Sequence, residues 1–146
     1  MPNNPTKDVL VAEDDLDDFY HFELAVKDVS VPVSLRHATD GDVLFKKLKE
    51  AIPDLLFLDI EMPCKNGIAC ILEIRKDPTY NYMPVIMLTS HNHDKHIEQS
   101  YQNGANYYLL KPSTVKALRD KLEMIFSRQW KTELYFPPMN EFVLSE

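Results

Sequence analysis

The chain has 146 residues, 45% of them hydrophobic and 27% charged, a mixture that suits one globular domain with one core. A formal net charge of −7 repels nucleic-acid phosphates and argues against DNA or RNA binding, and no apolar run approaches the roughly 20 residues of a bilayer span. The N-terminal "MPNNPTK" lacks the apolar stretch of a secretory signal, so the cytoplasm is the expected compartment and Cys64 and Cys70, in no zinc-binding spacing, are expected as reduced thiols.

Residues 8–12, "DVLVA", read as a short buried strand. A helix follows, with Leu16, Phe19, Phe22 and Val26 at helical spacing. "VSLRHA" (33–38) alternates and reads as a second strand. Asp40 and Gly41 turn the chain into a short helix marked by Leu44, Leu48 and Ala51. "DLLFLD" (54–59) is a third strand, and "NGIACILEIRKD" (66–77) a helix with Ile68, Ile71 and Leu72 expected to face inward. "MPVIMLTS" (83–90) predicts a fourth strand and "HDKHIEQSYQNG" (93–104) a fourth helix, stopped by Gly104. "NYYLL" (106–110) predicts a fifth strand. Val115, Leu118, Leu122 and Ile125 stripe a fifth helix that ends near Arg128. Strands 1, 3 and 4 are continuously apolar, as parallel strands covered on both faces must be. Five strands alternating with five helices predict a doubly wound α/β fold.

Ligands of open α/β sheets bind beyond the carboxyl ends of the strands. Strand 1 runs into Glu13, Asp14 and Asp15; strand 3 ends in Asp59, then Glu61; strand 4 runs into Thr89 and Ser90; strand 5 into Lys111 and Pro112. Clustered carboxylates repel: two unit charges about 4 Å apart cost on the order of 4 kcal/mol at an effective dielectric of 20. A hard divalent cation relieves this, and few carboxylates with open positions suit Mg²⁺. A carboxylate beside such a cation can attack phosphorus, with a hydroxyl and an ammonium to hold the phosphoryl oxygens. That chemistry explains why the greasy run "LLFLD" ends in an acid.

The blocks "VLVAEDD", "LLFLDIEMP", "VIMLTS" and "ANYYLLKP" resemble, in order, the signature blocks of response-regulator receiver domains of two-component signalling; Gly67, eight residues after Asp59, resembles the glycine that starts the family's third helix. The resemblance covers about residues 7–128, which leaves 1–6 as a flexible N-terminus and 129–146 as a C-terminal extension. It implies a flavodoxin-like, five-stranded parallel sheet of order 2-1-3-4-5 with five helices. It further implies Asp59 as phospho-acceptor, Glu13 and Asp14 as the acidic pair, and Mg²⁺ held by Asp14, Asp59 and the backbone carbonyl of Glu61. Thr89 and Lys111 would bind the phosphoryl group, Tyr108 would be the aromatic that swings inward with the threonine, and the Lys111–Pro112 bond would be cis. Glu61 and His91 occupy the family's variable positions that tune phosphate lifetime. The implied partners are a sensor histidine kinase or histidine phosphotransfer protein and a downstream protein, reached through the face of helix 4, strand 5 and helix 5. The chain is also similar to short single-domain receivers, including those paired with bacterial photoreceptor kinases, and no effector domain is expected to follow.

Each residue alone has a plainer reading: Glu13–Asp15 as charges complementing a helix dipole, Thr89 and Ser90 as helix caps, Lys111 as a solvated lysine, Tyr108 as a core aromatic. Their joint placement at one rim outweighs these. His91, His93 and His96 lie close together but read as a solvated loop and helix start, and His21 and His37 carry no pattern. A haloacid-dehalogenase-type, Mg²⁺-dependent phosphatase uses the same residue types, yet its D-x-D nucleophile precedes its acidic pair, the reverse of the order here. A phosphorylation-independent interaction module would have no use for the intact acid, threonine and lysine set. Beyond autocatalytic phosphoryl acceptance and loss, no enzymatic turnover is expected. The extension carries Trp130, Tyr135, Phe136 and Phe142, broken by Pro137 and Pro138; it folds back, packs across a homodimer, or frays.

Overall fold

A computed structural model describes residues 6–146. The flexible start expected for residues 1–6 therefore lies, apart from Thr6, outside the described residues. Five parallel strands form the expected core: β1 (Lys7–Ala12), β2 (Val33–Ala38), β3 (Leu55–Asp59), β4 (Val85–Thr89) and β5 (Tyr107–Leu110). Their helices are α1 (Leu16–Lys27), α2 (Gly41–Glu50), α3 (Gly67–Lys76), α4 (Asp94–Gln102) and α5 (Val115–Phe126), with a 3-10 turn at Pro78–Tyr80. Four helices start on a side-chain cap: Asp15, Asp40, Asn66 and Thr114 each accept an N–H from three residues on, satisfying donors that a helix start leaves free.

The expected order 2-1-3-4-5 is present, but it continues. A two-residue β6 (Val143–Leu144) adds to the β5 edge in parallel, pairing Val143 with Tyr108 and Leu144 with Leu109. A four-residue α6 (Met139–Phe142) leads into it, so the described residues hold six strands and six α-helices where five of each were expected. The extension is folded back on its own chain. Phe142 is fully buried, its ring 5.0 Å from that of Tyr101 and 6.3 Å from that of Tyr108. Earlier in the extension Trp130 packs edge-on against Tyr107 and donates its Nε1–H to the Ile125 carbonyl at 2.8 Å. Arg128 lies 3.6 Å over the Tyr135 ring, a cation–π contact. The buried Asn106 joins the two parts: its Oδ1 accepts from Val85 N–H and Arg75 Nη2, while its Nδ2 donates to the Tyr135 carbonyl.

Alternating strand residues divide the core between the two faces of the sheet. Leu10, Leu56, Leu58 and Met87 pack with Ile71, Tyr108 and Phe142 on one face; Val9, Val11 and Phe57 pack with Phe22, Leu118 and Trp130 on the other. The inward expectation for Leu72 fails, and Leu16, at helical spacing with Phe22, is also outside. Leu16 and Leu72 are 67% and 42% exposed. At 3.6 residues per turn Leu16 lies roughly 150° from the stripe that Phe22 and Ala25 bury, and Leu72 lies off the face of Cys70, Ile71 and Ile74. Cys64 is exposed, Cys70 is buried, and neither is in a disulfide. No helix among the described residues is long and apolar enough to cross a membrane.

Candidate functional site

The parallel registers bring the strand ends together. Ala12 pairs with Leu58, which sets Glu13 beside Asp59; Asp59 pairs with Leu88, and Thr89 with Leu110, the residue before Lys111. Glu13, Asp59 and Thr89 are almost wholly buried, while Asp14, one residue into the loop, is exposed. All of them, with Lys111, Glu61 and His91, line one open polar cleft.

Lys111 is the hub. Its Nζ lies 2.6 Å from Glu13 Oε1, 2.7 Å from Asp18 Oδ2 and 3.3 Å from Asp59 Oδ2. Burial pulls this ammonium toward its neutral form, but the bonds to Asp18 and Glu13 and the charge of Asp59 outweigh it, and the pKa is raised. Burial and then a hydrogen bond with Asp59 push the Glu13 carboxyl up to about 8. Glu13 Oε1 faces the Lys111 ammonium but receives no directed hydrogen bond. Glu13, Asp14 and Asp59 each offer a carboxylate oxygen within 4.8 Å of the others. An all-oxygen set that includes an under-satisfied buried oxygen and an exposed, open side fits a hard divalent cation that keeps some of its waters.

On the other wall, Thr89 Oγ1 accepts the His91 N–H at 3.2 Å, and Glu61 N–H points to Asp59 Oδ1 at 3.3 Å. The Glu61 and His91 side chains meet across the cleft mouth at 2.8 Å. Neither Thr89 nor Ser90 caps α4, whose N-cap residue is His93. His93 and His96 stand 4.8 Å apart, ring to ring, while His91 is engaged with Glu61. The Tyr108 side chain is completely buried, and its hydroxyl donates to the His91 carbonyl at 2.8 Å. Burial raises that phenol to about 12. The Lys111–Pro112 bond is trans, against expectation; trans is favoured by about 0.5–1 kcal/mol at such bonds, and here it coexists with the Lys111 N–H donating to the Thr89 carbonyl at 2.8 Å.

Two residues of the site went unnoticed in the sequence. Asp18 lies in the acidic first turn of α1, three residues after the Asp15 cap, and that placement was the only local signal. His37 carried no pattern, yet its Nε2–H donates to the Glu13 carbonyl at 2.6 Å and its ring stacks 3.7 Å from Phe19 at 8°. The Glu13 N–H donates in turn to Ala38 O at 2.9 Å. The end of β2 thus grips the acidic loop on both sides of its peptide unit. Gly67 admits the close approach of α3: a Cβ there would lie 2.2 Å from the Asp59 carbonyl oxygen.

Residues 9–123 match the family model described as "Response regulator receiver domain". Chemotaxis protein CheY-3 of Vibrio cholerae serotype O1 is 32% identical over 116 residues, covering 77% of this chain and 89% of that protein. Response regulator Rcp1 of Synechocystis sp. is 28% identical over 123 residues, covering 80% and 84%. Among solved structures, the phosphorylated cyanobacterial phytochrome response regulator RcpA superposes with a TM-score of 0.78 at 26% identity, over 92% of this chain and all of that one. The Mn(2+)-bound form of Rcp1 gives 0.75 at 26% identity, over 90% and 99%.

Proposed function

Because this chain belongs to the response-regulator receiver family, we propose that Asp59 is its phospho-acceptor, that residues 7–128 form the receiver domain, and that 129–146 is an extension strapped to it. The observation that carries the reading is the Lys111 ammonium, 3.3 Å from the Asp59 carboxylate in a cleft that Glu13, Asp14 and Thr89 also line. An Asp59 oxygen attacks the phosphorus of a phosphohistidine on a sensor kinase or phosphotransfer protein. The P–O bond forms, the P–N bond breaks, and the imidazole keeps the electron pair and regains a proton. Asp14, Asp59 and the Glu61 carbonyl would hold Mg²⁺, which would supply neutralising charge beside the transferring group when bound. Lys111 and the Thr89 hydroxyl bind phosphoryl oxygens, which leaves the developing negative charge on donors fixed by the sheet. Glu61 and His91 stand over the cleft mouth, where they control the approach of water to the acyl phosphate.

The output follows from what the phosphoryl group draws on. Thr89 and Lys111 end β4 and begin the β5–α5 loop, and Tyr108 hangs from the His91 carbonyl two residues beyond Thr89. A pull on Thr89 therefore reaches the face of α4, β5 and α5. Moving a two-state equilibrium from 1:99 to 99:1 takes about 5.5 kcal/mol, and charge-assisted bonds of about 1.5–3 kcal/mol each are of that order. The proposed role is a signalling receiver whose chemistry stops at gaining and losing one phosphoryl group. Acetyl phosphate with Mg²⁺ tests it: the wild type should be labelled, and Asp59→Asn or the wild type in excess EDTA should not. Equal labelling of wild type and Asp59→Asn would move the acceptor elsewhere.

A further inference from the structure

We propose that Asp18 is a positioning residue that holds the Lys111 ammonium in the unphosphorylated protein and competes with a phosphoryl group on Asp59 for it. The proposal rests on the reading of Asp59 as acceptor. An ammonium has three donors, and here it faces three carboxylates: Glu13 at 2.6 Å, Asp18 at 2.7 Å and Asp59 at 3.3 Å. Its two directed hydrogen bonds go to Asp18 and Asp59, while Glu13 is a charge contact only, so a phosphoryl oxygen that takes the ammonium draws it away from the partners that now hold it. Asp59 is the group being modified. Glu13 is 1% exposed, and stripping the cation from a buried acid leaves it without solvent to replace the contact. Asp18 is 39% exposed, so water takes over the oxygen that Lys111 releases. Asp18 is therefore the partner that yields. Its backbone is pinned, since its N–H donates to the Asp15 cap at 3.0 Å.

The grip of Asp18 thus opposes the phosphorylated state. Fluoroberyllate, which mimics a phosphoryl group on a carboxylate, reads this directly. Titrated into the full chain with Mg²⁺ and followed by fluorine NMR, it should bind Asp18→Asn about 3- to 10-fold more tightly than wild type, a range set by one charge-assisted contact at a partly exposed pair. Mg²⁺ affinity measured alone should change less than about 2-fold, because Asp18 competes for the lysine and not for the cation. Asp17→Asn removes the same charge from the same helical turn, and Asp17 is exposed and makes no contact with Lys111; it should leave both affinities at the wild-type value. Unchanged or weaker fluoroberyllate binding in Asp18→Asn would overturn the proposal, and so would equal tightening in Asp17→Asn, which would reduce the effect to net charge. Failure of the wild type to bind fluoroberyllate, or equal binding by Asp59→Asn, would instead end the acceptor reading and the proposal with it.

Discussion

The Gly67 Cα faces the backbone of Asp59 and Ile60 so closely that a Cβ would lie 2.2 Å from the Asp59 carbonyl oxygen and 2.8 Å from Ile60 Cα. Gly67 N–H also donates to the Ile60 carbonyl at 2.8 Å, which locks the start of α3 onto the end of β3. Both obstacles are backbone, so neither can rotate away. Gly67→Ala should cost about 1–3 kcal/mol in urea unfolding and should lower the rate of Asp59 labelling by acetyl phosphate, because the strand end that aims Asp59 must shift. An unchanged midpoint would show that the contact relaxes freely.

Phe142 anchors the extension. Truncating it to alanine removes a fully buried ring from between Tyr101 and Tyr108, a change worth about 3–5 kcal/mol in a core that unfolds as one. A two-residue strand at a sheet edge opens before the core does, so the loss should appear locally. Phe142→Ala should speed hydrogen exchange at Val143, Leu144 and the β5 edge while β1 and β3 keep their protection. Uniform acceleration across the sheet would mean that the extension and the core unfold together.

The acid pocket stores repulsion. In EDTA, Asp59→Asn should stabilise the protein by on the order of 1 kcal/mol, the usual sign when a functional charge cluster is relieved. A pH dependence follows from Glu13, whose carboxyl is raised from 4.5 to about 8 in the folded protein. Between those values the folded state binds more protons than the unfolded one, so stability from this group is present below pH 4.5 and is lost as pH rises toward 8. The loss should be smaller in Asp59→Asn, where Glu13 has no charged acid beside it. Urea titrations across that window check it; a wild-type stability that rises through the window, after Glu13→Gln is used to subtract the other groups, would contradict the assignment.

His37 steadies the acidic loop from outside. His37→Phe can keep the stack on Phe19 while removing the donor to the Glu13 carbonyl. Mg²⁺ affinity measured by calorimetry should drop about 10-fold, as it does when an outer hydrogen bond to a ligand-bearing segment is removed, with a stability change of about 1 kcal/mol. Equal Mg²⁺ affinity would make His37 a packing residue only.

Most of the fold was legible because it rests on long signals. β1, β3 and β4 each carry an unbroken apolar run (Val9–Ala12, Leu55–Leu58 and Val85–Leu88), so their burial and parallel pairing could be read, and the acids, threonine and lysine fell at strand ends by simple counting. What escaped depends on contacts between distant segments. β6 is two residues long behind Pro137 and Pro138, too short for any period to register; its partner is an edge that the sequence does not mark as open. Leu16 and Leu72 looked like members of apolar stripes because their spacing fits, and only the sheet's position decides which arc of a helix is inside. Asp18 and His37 reach the site through Lys111 and the Glu13 carbonyl, and neither pairing is encoded in local spacing alone. The bond before Pro112 is trans where cis was expected, because a local sequence does not determine a preference this small.

The central claim is that one carboxylate, Asp59, becomes an acyl phosphate. The full chain, phosphorylated with acetyl phosphate and Mg²⁺, can be reduced with borohydride, which converts an aspartyl phosphate to homoserine, and then mapped by peptide mass spectrometry. Homoserine at position 59 and at no other carboxylate is the result this account requires. Conversion at Glu13, Asp14 or Asp18, or a phosphoryl group recovered on a hydroxyl or an imidazole, would contradict it.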